Sequence, residues 1–140
     1  MRPIKFRCWD QITPVMVYGV EQFYDTIGRF VDSSGHPVDV YKTALWKHHS
    51  FGHLVEAAQE TPPTVILMHF TGLTDRQGKE IYEGDIVRIT FRDGPTENGV
   101  MVWSPKEARW SWIGRGSGDG YGLTMFNDVE IIGNRYEHPE

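Results

Sequence analysis

Fifteen glycines and eight prolines are spread along this 140-residue chain, and the segments between them are short and rich in β-branched and aromatic residues. Glycine and proline interrupt regular structure, whereas β-branched and aromatic side chains suit a pleated surface. The chain is therefore expected to be mainly β, with at most one short helix. Apolar residues make up 39% of it and aromatics 13%, enough burying surface for a core and too much for a wholly disordered chain. The length suits one compact domain or a domain with a small appendage.

Read along the chain, Ile4, Phe6 and Cys8 alternate with Lys5, Arg7 and Trp9, the period-two pattern of a half-buried strand with the first three facing the core. Residues 10–14 read as a turn and 15–18 as a returning strand, so 4–18 is a hairpin. A second pair of extended segments, 29–31 and 38–41, flanks the turn-forming run Asp32-Ser33-Ser34-Gly35-His36-Pro37. Within residues 43–60, Leu54, Val55, Ala57 and Ala58 sit near helical spacing and Pro62-Pro63 would stop a helix. Gly52 weakens that reading, and a long surface loop is the alternative. Residues 65–70 are apolar except for His69, as in a strand buried on both faces.

Beyond that strand, 74–79 reads as a tight turn with Gly78 at positive φ, and Glu83-Gly84-Asp85 as a second turn. Val87, Ile89 and Phe91 then alternate with Arg88, Thr90 and Arg92. The hairpin is expected to turn through 93–95 and Asn98-Gly99 into strands at 100–103 and 110–113, with a last strand near 129–132. The architecture expected is a set of N-terminal hairpins over residues 1–64, then a small SH3-like barrel or strongly bent antiparallel sheet over 65–140.

The run from Phe70 to Val87, FTGLTDRQGKEIYEGDIV, resembles the YopX family of phage and prophage proteins. The N-terminal IKFRCWD at 4–10 and the C-terminal VEIIGNRYEHP at 129–139 agree with the same family in the expected order, so the resemblance covers nearly the whole chain as a single domain. Residues 20–64 match least, and by this resemblance they correspond to the family's variable middle. The resemblance implies a β-rich fold and a phage or prophage origin, and it carries over no activity, cofactor or catalytic residue. Physically, the signature reads as structure: its glycines suit turns, and Asp75 and Asp85 can accept hydrogen bonds from backbone N–H groups just ahead. The alternative is a cleft lined by Tyr82, Glu83 and Asp85, which would carry a hydrolase or nuclease activity.

Several function classes drop out. No apolar run reaches the roughly 20 residues of a membrane-spanning helix, and the start MRPIKF lacks the apolar stretch of a signal peptide, so a cytoplasmic protein that does not bind membranes is expected. The single cysteine, Cys8, excludes an internal disulfide framework and a cysteine-rich zinc site, and its place on the core face argues for burial rather than reactivity. His48, His49 and His53, with Glu56, would suit a metal only if His49 and His53 shared a helical face. Solvated histidines near Trp46 and Phe51 are the default. The glycine-rich run 114–122 lacks the spacing and context of a phosphate loop and reads as a hairpin loop, whose Arg115 and Tyr121 could touch a partner.

Arg88, Arg92, Trp103, Arg109, Trp110 and Trp112 interleave cations with aromatics, the composition of a surface that stacks bases and tracks phosphates. Against this, the chain carries five more acidic than basic residues, and acids fall among these cations. A core or rim role for the tryptophans is the plainer reading. The function expected is a non-catalytic interaction module, needing no cofactor, that binds a phage or host protein and also itself; nucleic-acid binding is the alternative.

Overall fold

The computed structural model describes residues 4–22, 29–48, 50–90, 96–105, 109–114, 120–121 and 128–137. The chain divides into two compact units, residues 3–69 and 70–140. Among the described residues no helix is long and apolar enough to cross a membrane.

In the first unit, β1 (Phe6–Asp10) and β2 (Val15–Tyr18) form the expected hairpin. Asp10 closes its turn by accepting from the Ile12 and Thr13 N–H groups at 3.0 and 3.2 Å. Its other oxygen accepts from Ala44 N–H at 2.8 Å, which ties the hairpin to a segment 34 residues away. β3 (Arg29–Val31) and β4 (Pro37–Asp39) pair across the predicted Asp32 turn. β5 (Val65–Thr74) runs beside β1, giving the antiparallel order β4-β3-β2-β1-β5.

Between β4 and β5 lie two 3-10 turns, Val40–Lys42 and Ala44–Lys47, and then α1 (Phe51–Ala58). Ser50 caps α1, whose Leu54 and Ala57 pack into a core with Cys8, Val17, Val20, Phe30, Val40, Leu45 and Val65. A helix therefore forms in spite of Gly52, because apolar burial outweighs a propensity cost of about 1 kcal/mol.

Two expectations for this unit fail in detail. Arg7 is buried although the alternation puts it on the polar face, and Ile4 is exposed although it shares parity with Phe6 and Cys8. For Arg7 the reason is that β1 is an inner strand, flanked by β2 and β5, where Arg7 lies in register with Tyr18 and Met68; Ile4 lies before the start of that strand. Its guanidinium donates to the Tyr18 hydroxyl at 3.2 Å and rests over the Tyr18 ring. In β5, Val65 and Met68 are buried, Ile66 and Leu67 only half so, and His69 is exposed, so burial on both faces is partial.

The second unit takes the end of β5, which pairs with β6 (Glu80–Tyr82), and a sheet of β7 (Asp85–Thr90), β8 (Thr96–Ser104), β9 (Arg109–Gly114), β10 (Gly120–Tyr121) and β11 (Asp128–Asn134). The order is β10-β9-β8-β7-β11, antiparallel throughout. Among the described residues this ladder does not close on itself, so the antiparallel sheet stands rather than the SH3-like barrel. Along β11 two outward groups are already occupied: Val129 C=O accepts from Arg76 N–H at 3.0 Å, and Ile131 N–H donates to Asp75 at 3.2 Å. Those two groups are not open to a further strand.

Trp112 fills the core of this unit with Ile81, Val87, Ile89 and Met101 and has no exposed surface. Its indole N–H donates to Val87 C=O at 2.9 Å. The ring lies against the directly paired Gly99 and Gly114. A Cβ on Gly99 would sit 2.5 Å from both the Ile113 carbonyl oxygen and the indole. Asn98-Gly99 is thus not a turn, as the sequence suggests, but mid-strand in β8, where the glycine makes room for the tryptophan.

Trp112→Phe leaves the Val87 carbonyl without its buried donor and should lower unfolding free energy by about 2 kcal/mol. Gly99→Ala should cost a comparable amount, about 2 kcal/mol or more, because backbone must move. Urea denaturation read through tertiary signals checks both, and unchanged midpoints would contradict this packing.

Candidate functional site

Strand parity decides which predicted site residues share a face. In β7, Val87 and Ile89 point into the core while Arg88 points out. Gly99 lies opposite Val87, so Met101 and Trp103 continue the core face, and Trp112 and Trp110 pair with them. The cation Arg88 and the tryptophans therefore occupy opposite faces of one sheet. Arg109 has the parity of Ser111, away from Trp110, and is exposed. Tyr121 pairs in register with Trp112 on β10. Arg92 and Arg115 lie outside the described residues.

Electrostatics separate them further. Glu130 on β11 takes Arg76 at 2.5 Å and Arg88 at 3.8 Å, and Arg88 Nε donates to Asn98 at 3.4 Å. A shallow hollow of about 560 Å³ lined by Arg88, Thr96, Glu97 and Asn98 opens beside this cluster. Arg88 is thus drawn into a cross-strand polar network in which a carboxylate already balances it.

The aromatic face grades from buried to open. Trp112 is enclosed, Trp110 is half-buried against the core, and Trp103 is 45% exposed. Trp103 and Trp110 meet edge to face, with ring centroids 5.2 Å apart, beside the connection from β8 to β9. Trp112 presents no ring to a partner; the other two form an apolar knob packed on the core through Trp110.

The two signature aspartates hold turns. Asp85 is buried and accepts from Tyr82 N–H at 2.7 Å, while Gly84 stands at φ 87° and donates to Met101 C=O at 2.8 Å. The Tyr82 ring is buried against Phe70. Asp75 accepts from Gln77 and Lys79 N–H, each at 2.9 Å, around Gly78 at φ 83°, and its second oxygen reaches Ile131. Burial opposes the Asp75 charge, but the N–H groups of Lys79, Ile131 and Gln77, with the Lys79 ammonium, outweigh it and hold this carboxyl below its ordinary range. The sequence marks Asp75 as a turn residue; that it also grips β11, 56 positions later, has no local signal.

The remaining candidates resolve less. Among the described residues no group of three or more His, Cys, Asp or Glu is placed to hold a metal ion. α1 includes His53 but not His49, which lies outside the described residues. The glycine-rich run joins β9 to β10 as antiparallel neighbours, and its residues 115–119 lie outside the described residues. Cys8 is fully buried; burial first, and then the Asp10 charge, push its thiol up to about 12 against a weaker opposing backbone hydrogen bond at Ile66.

Two outcomes follow. Because the folded-state pKa of Asp75 is lowered, its contribution to stability is present above the unfolded-state value and lost as pH falls through the folded one. Asp75→Asn should cost about 2 kcal/mol at neutral pH and flatten the acid limb of the stability profile below about pH 4; a profile parallel to that of the parent chain would contradict this. Cys8 should stay inert to a thiol reagent at neutral pH until denaturant is added, and rapid labelling of the folded chain would show it is not enclosed.

Comparison with known proteins places this geometry. The crystal structure of protein EF1440 from Enterococcus faecalis matches with a TM-score of 0.57 and 19% identity, covering 100% of this chain and 98% of that one, a likeness of fold. YopX from Bacillus subtilis aligns over 97% of this chain and 95% of its own at 20% identity, with a TM-score of 0.43. A search of curated proteins returns no match. The family model described as YopX protein matches residues 5–140, and the chain belongs to the YopX family.

Proposed function

We propose that this chain is a non-catalytic accessory protein of phage or prophage origin that works as a protein-interaction module, with the Trp103–Trp110 knob as its anchor. The observation that carries this reading is the exposed Trp103 ring held edge-on by a half-buried Trp110 that is itself packed on the core. Tryptophan is among the residues most enriched at binding hot spots, and a ring already immobilised loses little freedom when a partner covers it.

The partner is a phage or host protein, or a second copy of this chain. Self-association by strand pairing at β11 is disfavoured, since the Asp75 turn occupies Val129 C=O and Ile131 N–H. Nucleic-acid binding on this sheet has less support, because Arg88 lies on the face opposite the rings and is engaged by Glu130.

The test is affinity purification of the tagged full chain from its native host, nuclease-treated, with Trp103→Ala in parallel and light scattering on the free protein. A stoichiometric protein partner, or a concentration-dependent dimer, should be retained by the parent chain and weakened roughly 30-fold by Trp103→Ala. Retention by the variant, or a catch that consists only of nucleic acid, would overturn the assignment.

A further inference from the structure

Asn98-Gly99 has no part in the docking knob, and its chemistry is set by where the fold puts it. In an unfolded chain an asparagine followed by glycine is the pair most given to deamidation, because glycine has no side chain to shield its nitrogen from the neighbouring amide. The Gly99 nitrogen bonds to Asn98 Cγ, the Cγ–Nδ2 bond breaks, and ammonia leaves with the proton that Gly99 gives up. Water then opens the five-membered imide on either side. Aspartate results where the new bond breaks, and isoaspartate where the old peptide bond does.

The folded strand opposes the first step. Asn98 and Gly99 lie inside β8, which β7 and β9 flank. Gly99 is in register with Val87 on one side and Gly114 on the other, so its N–H is held in the ladder rather than free to give up its proton. Extended backbone also turns the Gly99 nitrogen away from the Asn98 side chain, and ring closure requires that torsion to swing well outside the β region. The Asn98 amide is itself engaged, its oxygen accepting from Arg88 Nε at 3.4 Å. Nor is there slack for the swing, since one added carbon on Gly99 would already lie 2.5 Å from the Ile113 carbonyl oxygen and from the Trp112 indole.

We propose that Asn98-Gly99 is a deamidation site shut by the β8 ladder and opened by unfolding, so that conversion marks chains that have left the native state and bars the isoaspartate form from returning to it. The bar follows from the same packing. Isoaspartate carries the main chain through one extra carbon, which moves Gly99 out from beneath the Trp112 ring and breaks its register with both neighbours. Conversion accumulates with the time a chain spends open, so the site limits the useful life of the protein. It needs only the β8 ladder and the Trp112 packing, and it does not depend on the Trp103–Trp110 knob.

The experiment incubates the full chain at mildly alkaline pH over a series of urea concentrations that spans its unfolding transition. Peptide mapping by mass spectrometry follows residue 98, with electron-transfer fragmentation separating isoaspartate from aspartate. Conversion should be fastest in the unfolded chain, rise through the transition with the unfolded fraction, and be slower in plain buffer by at least about 1,000-fold. Trp112→Phe, once circular dichroism shows it folded, should speed conversion in buffer about 30-fold, the rise in open population that its packing loss implies. Asn98→Gln should abolish the product. After removal of urea, unconverted chains should recover the native tryptophan fluorescence and isoaspartate chains should not. Conversion in buffer as fast as in urea, a rate that ignores the unfolded fraction, no product at residue 98 in the unfolded chain, or native fluorescence from isoaspartate chains each overturns the proposal. Should Trp112→Phe fail to fold, the urea series on the parent chain decides alone.

Discussion

The indole of Trp112 sits where two neighbouring strands have given up their side chains. Gly99 and Gly114 face each other across β8 and β9, and the ring lies on the bare backbone between them, its N–H turned to the Val87 carbonyl on β7. Three strands are thereby fixed in register by one side chain, because a slip of one residue would move either glycine out from under the ring. Trp110 inherits its position from that arrangement, and Trp103 from Trp110. The exposed end of the aromatic face is only as well placed as its buried end.

Carboxylates do the corresponding work at the turns. Asp10 and Asp75 divide their oxygens in the same way: one closes the local turn, and the other crosses to a distant N–H, at Ala44 and Ile131 respectively. At Asp75 the N–H donors replace the water that the carboxylate gives up and favour its charged form against burial. The two aspartates thus serve as joints.

Much of the fold is legible in the amino-acid order. Turn glycines at 78 and 84, the 4–18 hairpin, the Asp32 turn and the in-out alternation at Val87 to Ile89 all follow from local preference and period, and all appear in the structure. Non-local relations are not legible there. Asn98-Gly99 has the composition of a hairpin turn, and only the tryptophan 13 positions later explains why it is strand. Arg7 follows the alternation of an edge strand and is buried because β5 arrives on its other side. The interleaved Arg88 to Trp112 set is close in sequence yet split by the pleat.

The grip of the Asp75 turn on β11 also orders events in time. The hydrogen bond joins residues 75 and 131, so the second unit cannot complete its sheet edge until β11 has left the ribosome. Until then β7 has a partner on only one side, in β8. A nascent chain halted before residue 128 would present β7 as an open edge to any strand nearby, including that of another copy under synthesis. The last strand is then a seal on assembly, and its arrival ends the period in which the sheet can mispair.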